Sequence, residues 1–210
     1  MIRMLAQAGV PYEHVSDMGR MSQVCAAFGA TTPSGNLAPP VVEDGDVFIS
    51  QSIAASMYIG KKCGFPAPDD VKAIQLMDDI KDLFESGIGK NNEDGKKLKI
   101  YLHGDGSGKP SRFATFAAAI ERNVVGPYFF GENLSFVDFY FANLYAMYSA
   151  TTLAKLQAKT GEKDVFDDFP KLKAIANSIV NLESTKKIAA PVHLERFEIK
   201  DEVIEAYASS

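Results

Sequence analysis

Apolar residues first recur along this chain with a helical period. In residues 2–9, IRMLAQAG, Ile2 and Leu5 share a face with Met4 beside them, and Gly9 stands where a helix stops. VPYEHVSD (10–17) then reads as a short strand and residues 20–28 as a brief helix, while GATTPSGN (29–36) is a loop by composition. Next come two β-branched or aromatic runs, Val41-Val42 and Val47-Phe48-Ile49. An Asp44-Gly45 turn joins them, which predicts an antiparallel hairpin. Ser50 or Gln51 opens a helix whose apolar positions, Ile53, Met57 and Tyr58, keep the 3.6-residue period up to Gly64.

FPAPDD (65–70) interrupts the pattern, because two prolines within a few residues continue neither a helix nor a strand. Beyond it no strand pairs are legible. Residues 70–89 predict a long helix, 102–111 (LHGDGSGKPS) an exposed loop, and 111–123 a further helix. Residues 134–156 carry apolar side chains all round: Phe136, Val137, Phe139, Tyr140, Phe141, Leu144, Tyr145, Met147 and Tyr148. A helix without a polar face is a central, buried one. Ser135, with Asp138 three residues on, predicts its N-terminal capping box, a structural role rather than a catalytic one. Pro170 opens an amphipathic helix over 170–188. The first third is thus mixed α and β and the remainder all helical, which predicts two packed units and not one alternating sheet.

Composition narrows the function classes. With 46% apolar and 23% charged residues, the 210-residue chain is globular and long enough for one domain or two small ones. A net charge of −5 and no long basic run argue against nucleic acid as partner. Cys25 and Cys63 make no disulfide framework, and the N-terminal stretch has no secretory apolar core. Leu134–Leu153 is interrupted by Asp138, Asn143 and several hydroxyls, which excludes a membrane span there. A cytoplasmic protein is the expectation. His14, His103 and His193 lack metal-ligand spacing. Lys61-Lys62 precede Cys63 and could lower its pKa, but an inert thiol near a helix end is the preferred reading.

The order AGVPYEHV, then LAPPVVEDGDVFISQSIAASMYIGKKCG, then a proline-rich link, then a buried helix opened by SFVD, resembles the glutathione S-transferase superfamily over nearly the whole chain. The resemblance is greatest with its sigma-like cytosolic classes. It implies a fold that is α/β plus all-α: a thioredoxin-like glutathione-binding domain over 1–64, a linker over 65–70 and an all-helical domain over 71–210. It also implies a homodimer that joins glutathione, as co-substrate, to a small electrophile.

By the same resemblance, Gln51 and Ser52 hold the γ-glutamyl carboxylate. A helix N-terminus suits that group independently, since it presents free N–H groups and a partial positive charge. The other reading of this pair is a simple helix cap. Pro39 and Pro40 occupy the cis-proline region that faces the cysteinyl part of glutathione. Spacing from Ser52 favours Pro40 as the cis residue, whereas hydrogen-bond accounting favours Pro39, and the reading leans to Pro40. If so, the residue before it is Pro39, which can accept a hydrogen bond from glutathione but has no N–H to donate. Asp78 resembles an acidic residue that reaches glutathione on the partner subunit; the other reading is a solvated helix charge.

The family pattern begins with a strand that carries the catalytic Tyr, Ser or Cys, and this chain starts inside the following helix. The thioredoxin-like domain is therefore expected to be incomplete at its start, with the catalytic position outside the chain and its gap filled by upstream residues or covered by a partner. Tyr12 matches a structural position of the family and is rejected as a substitute. The alternative to an enzyme is a non-catalytic binding or scaffold subunit of a larger assembly.

Overall fold

The structure is a computed structural model that describes residues 1–29, 35–186, 188 and 198–210. It opens with helix α1 (Ile2–Ala8), which Gly9 ends in the left-handed conformation at φ 67°. The fully buried residue of α1 is Met4. Arg3 Nε donates to Asn143 Oδ1 at 3.1 Å and ties this helix to the centre of the molecule.

Residues 10–17 do not form the expected strand. They are irregular, and Val10, Tyr12 and Val15 are 39%, 44% and 46% exposed. Strand formation depends on packing against a neighbour more than on β-branched composition. Among the described residues the one sheet has two strands, which pair with each other and not with this segment. Helix α2 (Met18–Val24) follows, its first turn capped by Asp17, which accepts from Arg20 N.

Strands β1 (Val41–Asp44) and β2 (Val47–Ser50) form the expected antiparallel hairpin, with Val41 opposite Ser50 and Asp44 opposite Val47. The two-residue connection is Gly45-Asp46, one residue later than the expected turn. The positive φ of 60° falls on Gly45, the first central position, where a II′ turn places its glycine. A lone hairpin is marginal in water. This one is fastened from outside: the Tyr58 hydroxyl donates to Asp44 Oδ2 at 2.7 Å, Lys62 pairs with the same carboxylate, and Arg20 reaches Glu43. Tyr58 and Lys62 stand on helix α3 (Ser52–Lys62), so α3 carries the hairpin.

The helical remainder is built around α7 (Phe136–Tyr148). Nearly every residue of α7 is buried, as its unbroken apolar pattern requires. Its capping box is present, and Asp138 accepts from Ser135 N at 2.8 Å, Ser135 Oγ at 2.6 Å and Phe129 N at 2.8 Å. Around α7 the rings of Phe84, Phe113, Phe141, Tyr145 and Phe166 form a connected cluster, with centroids 4.9–6.4 Å apart. Helix α3 docks on the start of α7 through Gly60, where a Cβ would lie 2.3 Å from Phe136 Cβ.

Two of the long helices are not uniform. Helix α4 (Asp70–Lys81) continues as a π-helical segment, Asp82–Gly89. Another π segment, Ser149–Leu153, joins α7 to α8 (Ala154–Thr160). Helix α5 (Gly95–His103) was not legible as a helix from the lysine-rich run that forms it. Its signals are the cap Asp94, which accepts from Lys97 N at 3.0 Å, and Leu98, Tyr101 and Leu102 on one face. Helix α6 (Arg112–Glu121) lies within the expected 111–123. The expected helix over 170–188 is divided. Helix α9 (Pro170–Val180) ends at Asn181, and a short α10 (Glu183–Lys186) follows, with the Thr185 hydroxyl donating back to Ile179 O at 2.7 Å. The chain closes with α11 (Asp201–Ser209), whose Tyr207 hydroxyl donates to Glu162 Oε2 at 2.7 Å.

Candidate functional site

A cavity of about 620 Å³ opens where the hairpin and the start of α3 face the helical part. Pro39, Pro40, Gln51 and Ser52 line one side, and Lys81, Glu85 and Tyr148 are among the residues on the other. Four of the five residues predicted to meet glutathione therefore converge here, although twelve positions separate Pro40 from Ser52. The cis bond is Pro39–Pro40, in agreement with the spacing argument.

Gln51 is the one described non-glycine residue with positive φ, at φ 73° and ψ 127°. For a residue with a Cβ this region costs about 1–3 kcal/mol, and such residues cluster at ligand sites. Gln51 precedes the first turn of α3, yet its side chain makes no capping hydrogen bond and is exposed. The simple-cap reading of Gln51 therefore fails. The first N–H groups of α3 are left for another acceptor, as at helix N-termini that bind anions.

Ser52 begins α3 and is half-buried. Its Oγ lies 3.4 Å from the hydroxyl of Tyr140, which α7 supplies. Burial pushes the Tyr140 phenol up to about 12, so its proton stays in place at neutral pH. Glu85 stands on the π segment after α4. Burial raises its carboxyl above the ordinary glutamate range, against a smaller downward pull from Lys81. The same segment brings Gly89 so close to α7 that a Cβ there would lie 2.4 Å from the Tyr148 hydroxyl. π-Helical turns recur at functional sites because they displace side chains from the α-helical register.

Asp78 is exposed on α4, one turn before Lys81, and does not line the cavity. Tyr12 is exposed and also lies outside it. Cys63 is half-buried, and burial raises its thiol pKa more than Lys62 lowers it, so the thiol is held in its unreactive form. His103 faces the Tyr207 hydroxyl at 2.7 Å and Glu162 at 3.4 Å, a structural cluster between α5 and α11. His193 lies outside the described residues. Lys81, Glu85, Tyr140 and Tyr148 were not legible as site residues. The two tyrosines read as core positions of an apolar helix, and Lys81 and Glu85 lie in the long helix expected over 70–89 with no signal to set them apart.

A family model described as glutathione S-transferase, C-terminal domain, matches residues 79–190. Among solved structures, prostaglandin synthase D of Nilaparvata lugens is 26% identical, with 90% of this chain and 91% of that one covered at a TM-score of 0.60. The glutathione S-transferase of Ascaris lumbricoides is 18% identical over 88% and 86%, at 0.58. Monomeric Na-GST-3 from the hookworm Necator americanus is 21% identical over 89% and 87%, at 0.51. The last two bear on the fold alone. No curated protein matches the chain.

Proposed function

Since the chain belongs to the glutathione S-transferase superfamily, a thioredoxin-like N-terminal part followed by an all-helical one, we propose that it binds glutathione in the cavity at the start of α3 and conjugates it to small electrophiles. The observation that carries this reading is the convergence of Pro39, Pro40, Gln51 and Ser52 on one cavity whose helix N-terminus is left uncapped by a side chain. In this reading residues 1–64 supply the glutathione-binding unit, 65–70 the link and 71–210 the walls of the electrophile chamber.

The γ-glutamyl carboxylate sits against Gln51, Ser52 and the first N–H groups of α3, where the helix dipole favours a negative charge. Pro39, lacking an N–H, offers only its carbonyl, which accepts the cysteinyl N–H. Glu85 and Tyr148 line the same cavity. Conjugation requires the thiolate, and hydrogen bonds to the charged form lower a thiol's pKa. Asp78, exposed on α4 beside a face that also bears the 78%-exposed Val71, serves a second copy of the chain in a cytoplasmic homodimer.

Calorimetric titration with glutathione tests the binding. The parent is expected to bind, and the Gln51→Ala/Ser52→Ala double variant to lose at least tenfold in affinity, since two hydrogen bonds to a charged group are removed. An unchanged affinity in that variant would refute the site. Turnover of chlorodinitrobenzene tests the chemistry, and glutathione binding without turnover would favour a non-catalytic binding subunit. Sedimentation tests the homodimer, with Val71→Glu expected to shift it to the monomer.

A further inference from the structure

We infer that Tyr140, on the central helix of the helical part, is a positioning residue for glutathione, orienting the Ser52 hydroxyl towards the γ-glutamyl carboxylate. The inference rests on the reading that Ser52 meets that carboxylate. It starts from the 3.4 Å approach of the Tyr140 hydroxyl to Ser52 Oγ, across 88 positions of sequence.

A serine hydroxyl has one proton and two lone pairs. To donate to a carboxylate, Ser52 must aim that proton into the cavity, and nothing in its own helix turn enforces this. A second hydroxyl that donates to Ser52 Oγ does so, because it occupies a lone pair and leaves the serine proton to point elsewhere. Tyr140 is suited to be that donor. It is 5% exposed, so its ring is held by packing, and its proton is retained because burial raises the phenol pKa by more than the Ser52 contact lowers it. The carboxylates of Glu85 and Asp78 act in the same direction on it. Chained donors polarise one another, so Ser52 becomes the better donor when Tyr140 donates to it. At 3.4 Å the contact is longer than an ideal O–H···O bond. Hydrogen bonds at binding sites commonly tighten when the ligand arrives.

Tyr140→Phe keeps the ring in the core and deletes only the hydroxyl. Calorimetry on the full chain is expected to show glutathione bound about fivefold more weakly, the equivalent of one ordinary hydrogen bond. Two further measurements separate positioning from general damage. The first uses a glutathione analogue in which 4-aminobutyrate replaces the γ-glutamyl unit and the carboxylate is absent; Tyr140→Phe is expected to bind it as the parent does. The second is the Tyr140→Phe/Ser52→Ala double variant, expected to bind glutathione no more weakly than Ser52→Ala alone. Equal weakening towards glutathione and the analogue overturns the inference, as does additivity of the two substitutions. An unchanged affinity in Tyr140→Phe beside a weakened Ser52→Ala overturns it while leaving the site reading intact. An unchanged Ser52→Ala overturns the carboxylate reading and this inference together.

Discussion

At the scale of single residues, Gln51 separates folding from function most clearly. Its side chain is exposed and caps nothing, while its backbone is held at φ 73°. Gln51→Ala is therefore expected to change unfolding free energy by less than about 0.5 kcal/mol in denaturant titration, while glutathione affinity falls about tenfold. Gln51→Val adds a β-branched side chain at positive φ and is expected to lose about 1–2 kcal/mol of stability as well. Glu85 makes a pH-dependent contribution of defined sign. Burial raises its carboxyl in the folded state, so that state holds the proton more tightly than the unfolded chain does. The resulting stabilisation is complete below the ordinary glutamate pKa of about 4.3 and is lost as pH rises through the raised value. Glu85→Gln is thus expected to be more stable than the parent at pH 7, with the difference closing below about pH 4 in paired denaturant titrations. Gln51 and Ser52 were proposed beforehand from the resemblance of the hairpin and helix start to the family's pattern, which lies within one short stretch of chain. Glu85 and Tyr140 were not, because what each meets, the cavity for Glu85 and Ser52 for Tyr140, is set by distant parts of the chain.

At the scale of elements, the contact between α3 and α7 governs the site, since α3 carries both the hairpin and Ser52 while α7 carries Tyr140. Gly60→Ala would gain up to about 1 kcal/mol in helix propensity. It would also force a methyl to within 2.3 Å of Phe136 Cβ, so a net loss of about 1–3 kcal/mol is expected in chemical denaturation, together with weaker glutathione binding. Asp138 holds the start of α7. Asp138→Ala leaves Phe129 N–H and Ser135 N–H without their acceptor in a fully buried setting, and a loss of about 3 kcal/mol in unfolding free energy is expected. Ser135-x-x-Asp138 and the all-apolar run behind it announced this helix, since a cap and a period lie within one segment. The π segments at 82–89 and 149–153 were not legible, because a one-residue change of register leaves the apolar period almost unaltered; the first of them brings Gly89 against Tyr148. The strand expected over 10–17 failed because strand-like composition needs a neighbour to pair with, and none of the described strands supplies one.

At the scale of the whole molecule, the proposed binding of glutathione in the cavity predicts a coupling between ligand and global stability. At one hundred times its dissociation constant the ligand is expected to stabilise the parent by about 2.7 kcal/mol, read as a rise in melting temperature. The same concentration should give a much smaller rise in Gln51→Ala/Ser52→Ala. The sequence by itself determined the order of the parts. Local turn chemistry, caps and apolar periods specify a hairpin followed by a helix, a proline-rich break and an all-helical remainder around one buried helix, because each of those signals acts within a few residues of chain. Only the tertiary structure decided which residues share the cavity. Lys81, Glu85 and Tyr148 come from helices whose patterns encode burial and not destination, and the facing of α3 on α7 follows from close packing at Gly60 and Phe136, positions 76 residues apart that no local signal relates.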